Sequence, residues 1–318
     1  MIKAGISGCD NLRAQELVRV LINHPDVELK WVSARHHSGS RLEDIVPGLK
    51  GESDLVVLPS DLPDDVDLVF MCGSRDEVSS QLPWLADHAG LHVIDLSGSL
   101  NRDYGEDSPW KYGLGEMQRR LLVHDTRLVT VPGNVAVASL LALMPIVRNQ
   151  MLDSPLTLHV SLGTSALPLN GKTQDGFTPD EWSENQRQEV EYAFKQCQTG
   201  FDQPINLAVK PLDERRTLAV TATLKCGLDE KMVRELYEQY YDDHNFVFIV
   251  DRSITIVDVE NTNKCLIRLE KDEHSGVLTI TAMMDALLKG AAGTAVHAMN
   301  LMFGLQERVG LMLKGTGC

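Results

Sequence analysis

Within its first hundred residues the chain alternates short apolar runs with amphipathic stretches, and this alternation restricts the fold more than any other feature. Ile2 to Ser7, Val27 to Ser33, Asp67 to Met71 and His92 to Leu96 read as strands. Helices are predicted between them from about Leu12 to Asn23 and around Glu77 to Ala89. That order predicts a parallel sheet with right-handed crossovers, a Rossmann-like domain. The polar connection from Asn101 to Trp110 reads as a surface loop.

Beyond residue 133 the pattern changes. An apolar helix is predicted from Asn134 to about Met151, followed by strands at Leu156 to Ser161, Ile205 to Val209, Thr217 to Lys225, Phe246 to Val250, Cys265 to Leu269 and Val277 to Met283. Strands grouped with few helices predict a mixed or antiparallel sheet and an α+β second domain. A last helix, predicted from about Asp285 to Leu305, is rich in small residues that permit close backbone packing. The expected fold is therefore α/β in two domains: a Rossmann-type domain over 1–133, an α+β catalytic-type domain over 134–286, and a helical segment over 287–318 returning to the first.

A chain of 318 residues that is 43% hydrophobic supports two cores. Its formal net charge of -15 repels phosphate backbones and anionic lipid, so neither nucleic acid nor a membrane surface is an expected partner. No run of 18 apolar residues occurs. A strand starting at Ile2 leaves no room for a targeting segment, so the cytosol is the expected compartment. The six cysteines show no CxxC or metal-like spacing, so reduced thiols and no metal are expected.

The turn after the first strand reads Gly5-Ile6-Ser7-Gly8-Cys9-Asp10-Asn11-Leu12. A dinucleotide site needs glycines here so that backbone N–H groups and the helix N-terminus can approach pyrophosphate. Gly5 and Gly8 have the right spacing, Asn11 stands at the third glycine position, Leu12 opens the helix, and Asp10 would bring a carboxylate near the phosphates. No acidic residue ends the second strand; Ser33 and Arg35, with His36 and His37 beside them, suit the 2′-phosphate of NADP better than NAD. A solvated surface loop is the equal alternative. Ser97, in Asp95-Leu96-Ser97-Gly98-Ser99, leaves a strand at the carboxyl edge, where its hydroxyl binds cofactor or caps the loop.

Val129-Thr130-Val131-Pro132-Gly133-Asn134 runs from a strand through Pro-Gly into the apolar helix. A reactive residue belongs at 134, because a thiol there would be acidified by the helix N-terminus. Asparagine cannot be a nucleophile. Two roles remain for Asn134: an N-cap, worth ~1 kcal/mol, or an amide donor polarising a ligand oxygen.

These segments resemble the N-acetyl-γ-glutamyl-phosphate reductase family, within the wider aspartate-semialdehyde dehydrogenase group. The likeness is most specific at Tyr112-Gly113-Leu114-Gly115-Glu116 leading to Val131-Pro132-Gly133, and at Asp285-Ala286-Leu287-Leu288-Lys289-Gly290-Ala291-Ala292-Gly293 through Asn300-Leu301-Met302-Phe303-Gly304. The resemblance implies a thiolate attacking an acyl phosphate, reduction of the thioester by NADPH, and a histidine handling the proton. It places Asn134 at the family's cysteine and Gln186 at the family's histidine. It also implies cofactor contacts from Lys289 and Gly290, a substrate contact from Arg216, and a homodimer or homotetramer.

Cys72 is the alternative thiol, though an inert core residue is its plainer reading. His159 and His297 read as packing histidines, and the acidic run Asp180 to Glu191 as a solvated helix face. Two functional readings stay open. One is a reductase homologue, impaired or repurposed by loss of the nucleophile, with NADP(H) binding retained or lost and a small acyl-glutamyl ligand. The other is a non-catalytic paralogue with a structural, regulatory or ligand-binding role. A lyase-like or isomerase-like use of the cleft has no residue in its favour.

Overall fold

The computed structural model describes residues 1–59, 62–100, 108–123, 126–166 and 178–315. The loop expected at Asn101 to Trp110 falls outside them over 101–107. Two compact units emerge among the described residues, one formed by Met1–Pro132 and Ala291–Met312, the other by 133–166, 178–290 and 313–315.

The first unit contains β1 (Ile2–Ser7), α1 (Leu12–Leu21), β2 (Val27–Ser33), the short α2 (Leu42–Ile45), β3 (Leu68–Met71), α3 (Arg75–Asp87), β4 (His92–Asp95), β5 (Lys111–Tyr112), α4 (Gly115–Val123) and β6 (Leu128–Thr130). Its six strands form one sheet in the order β2-β1-β3-β4-β6-β5. Every pairing in it is parallel, as the alternation predicted. The chain leaves β1 toward β2 on one side and finds β3 on the other, so the order in which strands are added reverses at β1/β3. In open α/β sheets the crevice at the carboxyl ends of such strands is where ligands bind.

The second unit runs α5 (Asn134–Arg148), β7 (Leu156–Gly163), α6 (Pro179–Cys197), β8 (Ile205–Leu212), β9 (Thr217–Lys225), α7 (Glu230–Tyr241), β10 (Val247–Ile249), β11 (Cys265–Asp272) and β12 (Val277–Asp285). Its sheet, β10-β11-β12-β9-β7-β8, is mixed: the outer pairs β10/β11 and β7/β8 are parallel and the middle is antiparallel. Helix α5 is buried at every position from Val135 to Val147. An all-round apolar helix of this kind belongs in a core. The Tyr237 and Tyr241 hydroxyls of α7 donate to its Ala142 and Leu141 carbonyls at 2.6 and 2.5 Å. Helix α7, capped by Asp229 at the Met232 amide, had escaped the sequence reading. Its buried Val233, Tyr237 and Tyr241 follow an i, i+4 spacing.

The last helix is shorter than its sequence pattern. A π-helical segment, Leu288–Ala292, precedes α8 (Gly293–Met302). Gly304 then adopts φ +67. Its N–H donates to Leu301 O at 3.2 Å and that of Leu305 to Asn300 O at 2.8 Å. This glycine-dependent pair of bonds ends a helix, so Phe303 to Leu305 lie beyond α8 and the helical segment expected to 318 stops at Met302.

Candidate functional site

In the second unit, α5 and α6 build a cluster around residue 134. Gly133 is the N-cap of α5 and Asn134 its first helical residue. The expected N-cap role of Asn134 is therefore wrong. Its Oδ1 accepts from the adjacent Val135 amide at 2.8 Å. With Asn134 at the first helical position, that oxygen meets the next amide along, that of Val135, rather than the amides two and three residues ahead that it would serve as an N-cap.

Gln186 and Glu189 reach this turn from α6. A β-carbon on Gly133 would lie 2.7 Å from Gln186 Oε1 and 2.8 Å from Glu189 Oε2, so both side chains rest on the bare glycine. Glu189 accepts from the Gly133 amide through both oxygens, at 3.0 and 3.2 Å. It is only 5% exposed. The acidic run is thus not wholly a solvated face: Glu184 pairs with Arg187 at the surface, whereas Glu189 turns inward. Gly290, expected at cofactor, lies against Asn134, since a β-carbon there would come within 3.0 Å of the Asn134 Cβ.

Arg216, the expected substrate contact, donates from Nε to Asp285 at 2.6 Å. Asp285 is fully buried and also accepts from the Asn261, Leu287 and Leu288 amides at 2.8, 2.9 and 2.9 Å. This face of Arg216 is committed to the fold. Lys289 is also completely buried, its Nζ lying 5.4 Å from the centre of the Phe246 ring.

In the first unit the β1–α1 turn departs from expectation in useful ways. Gly8 takes φ +84, and a β-carbon on it would sit 2.3 Å from Gly73 Cα, so only glycine fits. Asn11 caps α1, accepting from Ala14 N at 3.1 Å while its amide donates to Gly8 O at 3.1 Å and Cys72 O at 2.7 Å. Asp10 turns toward the chain that follows β2. Its carboxylate accepts from the Arg35 and His36 amides at 2.7 and 3.2 Å, drawn there because two backbone donors solvate a charge well. Ser33 is buried and braces the turn through its carbonyl, which accepts from Gly8 and Cys9 N–H at 3.0 and 2.9 Å. Arg35 pairs with Glu77 at 3.4 Å but remains 55% exposed, so it can still meet an anion.

Ser97 is buried and caps its own loop: its hydroxyl donates to Asp95 Oδ1 at 2.5 Å and accepts from Ser99 N at 3.0 Å. Burial pushes the Asp95 carboxyl up to about 6, against the pull of Ser97 and Leu100 N–H donors and of Arg13. A carboxyl raised on folding contributes stability that is present below about pH 4 and lost as pH rises through about 6, worth about 3 kcal/mol at most. Asp95→Asn removes that titration. Relative to the parent, the variant is expected to gain stability between about pH 4 and 7; urea midpoints differing by a constant amount across that window would refute the assignment.

None of the described thiols is placed or activated as a nucleophile. Cys9, Cys72, Cys226 and Cys265 are buried and Cys197 is partly so. Burial pushes Cys9 up to about 12 and Cys72 well above the thiol range. His159 lies on the exposed face of β7. His297 is buried, its Nε2 2.7 Å from Glu307 and its Nδ1 3.9 Å from Glu116. Among the described residues no three His, Cys, Asp or Glu side chains group as a metal site, and no helix is long and apolar enough to cross a membrane.

These features meet known proteins at two levels. Residues 3–124 match the semialdehyde dehydrogenase NAD-binding domain and residues 183–286 the semialdehyde dehydrogenase dimerisation domain. The N-acetyl-gamma-glutamyl-phosphate reductase of Parabacteroides distasonis is 35% identical over 323 residues, covering 99% of both chains. The chain belongs to the N-acetyl-gamma-glutamyl-phosphate reductase family. The reductase of Phocaeicola vulgatus is likewise 35% identical over 326 residues and 99% of each chain. Solved aspartate semialdehyde dehydrogenases share the fold. That of Vibrio cholerae, complexed with ASA, gives a TM-score of 0.75 at 16% identity over 96% of this chain and 98% of its own. That of Candida albicans, with NADP, gives 0.71 at 13% over 95% and 98%.

For a reductase-family chain the test of the cofactor site is whether the β1–α1 turn accepts pyrophosphate. Gly8 lets the turn pack on the Gly73 backbone, Asn11 caps the N-terminus of α1 beside it, and Asp10 is held by the Arg35 and His36 amides, a turn compatible with pyrophosphate at the helix end. Sequence reasoning had missed Glu189, Asp10's turn toward β2 and the Asp285 hub. For Glu189 a signal existed: Trp182, Gln186, Glu189, Val190 and Ala193 fall on one helical stripe with apolar neighbours.

Proposed function

We propose that this reductase-family chain binds NADP(H) at the β1–α1 turn and handles an N-acyl-γ-glutamyl ligand at the α5 N-terminus, with reductase turnover impaired or repurposed. The observation carrying this reading is Asn134 at the first turn of α5, with the Gln186 carboxamide and the Glu189 carboxylate packed on Gly133. Bound NADPH supplies a hydride. Gly8, the Asn11-capped helix end and Arg35 would hold its phosphates.

At the second site the residues orient rather than attack. The Asn134 side-chain NH2 and the first-turn amides of α5 can donate to a carbonyl or phosphoryl oxygen. Gln186 accepts or donates a hydrogen bond but does not exchange a proton near neutral pH, and the ionisable group beside it is the Glu189 carboxylate. Assembly as a homodimer or homotetramer would use the open face of the second sheet, where Thr157, His159 and Ser161 alternate with buried Leu158 and Val160.

Calorimetric titration with NADPH and NADH tests the cofactor half of the proposal. Micromolar NADPH binding is expected, and no detectable binding of either nucleotide would end it. Turnover of acetylated or succinylated glutamyl phosphate at ordinary enzyme rates would end the claim of impairment. A non-catalytic paralogue is the second reading, favoured by the intact core packing of α5 beside the missing nucleophile.

A further inference from the structure

We propose that Glu189 is a positioning residue for the reaction site: it holds the turn that opens α5 and sets the electrostatic field at residue 134. This rests on the reading of residue 134 as the reacting position. Three features meet at Glu189. It lies on α6 yet is 5% exposed. Both its oxygens lie within hydrogen-bond distance of the Gly133 amide, at 3.0 and 3.2 Å. That donor is the N-cap N–H of α5, one of the amides a helix start leaves without an intrahelical partner.

A capping box satisfies this N–H with a Glu three residues along the same helix. Here the carboxylate comes from a different helix, 56 residues later in the chain. It therefore ties the turn before residue 134 to α6, on the same stripe that carries Gln186. A β-carbon on Gly133 would stand 2.8 Å from Glu189 and 2.7 Å from Gln186, so no side chain intervenes between this pair and the peptide leading into 134.

The charge has a consequence beyond anchoring. The start of α5 presents the positive end of a 15-residue helix dipole, which favours an anion at 134. A carboxylate on the preceding amide opposes it. A group at 134 that becomes negative, a thiolate or the oxyanion of a bound carbonyl, meets both fields, whereas the neutral Asn134 amide meets no conflict. Glu189 thus tunes the position against negative charge while keeping its geometry.

An introduced thiol reads that field directly. In Asn134→Cys, the rate of alkylation by iodoacetamide at residue 134, assigned by peptide mass mapping, is followed against pH in the full-length protein. In Asn134→Cys/Glu189→Gln the glutamine oxygen can still accept from Gly133, but the charge is gone. The alkylation midpoint is expected to fall by about one pH unit, as removal of a nearby like charge requires. Asn134→Cys/Glu189→Asp, which keeps the charge, is expected to stay near the Asn134→Cys midpoint. If the glutamine variant does not fold, Asn134→Cys/Glu189→Ala replaces it with the same expected fall. Equal midpoints with and without the charge overturn the proposal alone. A folded Asn134→Cys protein whose new thiol reacts at no pH overturns the reading of residue 134 as an accessible reaction position, and this proposal with it.

Discussion

Asp285→Ala is expected to lower unfolding free energy by about 3–5 kcal/mol, the cost of removing one partner from a buried ion pair. Asp285 is fully buried and is the shared acceptor for the Arg216 guanidinium and three backbone amides. Its loss takes this ion pair from a guanidinium that is only 15% exposed and leaves three backbone N–H groups without their acceptor. Since domains of this kind are stable by only about 5–15 kcal/mol, the variant should unfold at much lower urea. Replacing both partners, as Arg216→Met/Asp285→Leu, should recover part of the loss but not all, because the Asn261, Leu287 and Leu288 amides still lack their acceptor. A loss under about 1 kcal/mol in the single variant, the value of an exposed pair, would mean that Asp285 is not the hub its bonds describe.

The second large effect is a gain. Asn134→Cys/Gln186→His is expected to raise NADPH-dependent reduction of an N-acyl-γ-glutamyl phosphate by at least about 100-fold over the parent, the lower end of what one general acid–base group contributes. Each single change should give far less, because nucleophile and base act as a unit. The geometry favours the pairing. Gln186 already rests on Gly133, so an imidazole grown from the same α6 position starts beside the thiol. Measured single-turnover rates decide it: a double variant that binds NADPH yet reduces no faster than the parent would show that the site has lost more than two side chains.

What was legible in the sequence divides along a physical line. The parallel sheet of the first unit was visible because βαβ units write their period locally: β2, at Val27–Ser33, stands where its apolar run placed it. Strand β9 was equally plain, since Thr217–Lys225 begins and ends at polar residues around an apolar centre. The family was legible through long motifs at Tyr112 to Glu116 and Asp285 to Gly304. What escaped was decided by partners distant in the chain. The spacing of α6 puts Glu189 on its apolar stripe, but the partner it meets there, the Gly133 amide, cannot be read from that stretch because it lies 56 residues away. Asp10 turned toward β2 for the same reason, its two donors being 25 and 26 residues on. Asn134 was misassigned by a single residue of helix phase, enough to exchange a cap for a first-turn side chain.

Helix α5 carries a consequence for how such a chain ages under mutation. Thirteen consecutive residues of it are inside the core, from Val135 to Val147, while the chemistry assigned to it hangs on the one residue before them. The positions that keep the molecule folded and those that would make it turn over are neighbours in the chain but separate in kind. Selection for abundance guards the first set without seeing the second. A substitution at residue 134 can therefore change what the site does while the packing of α5 stays as it is.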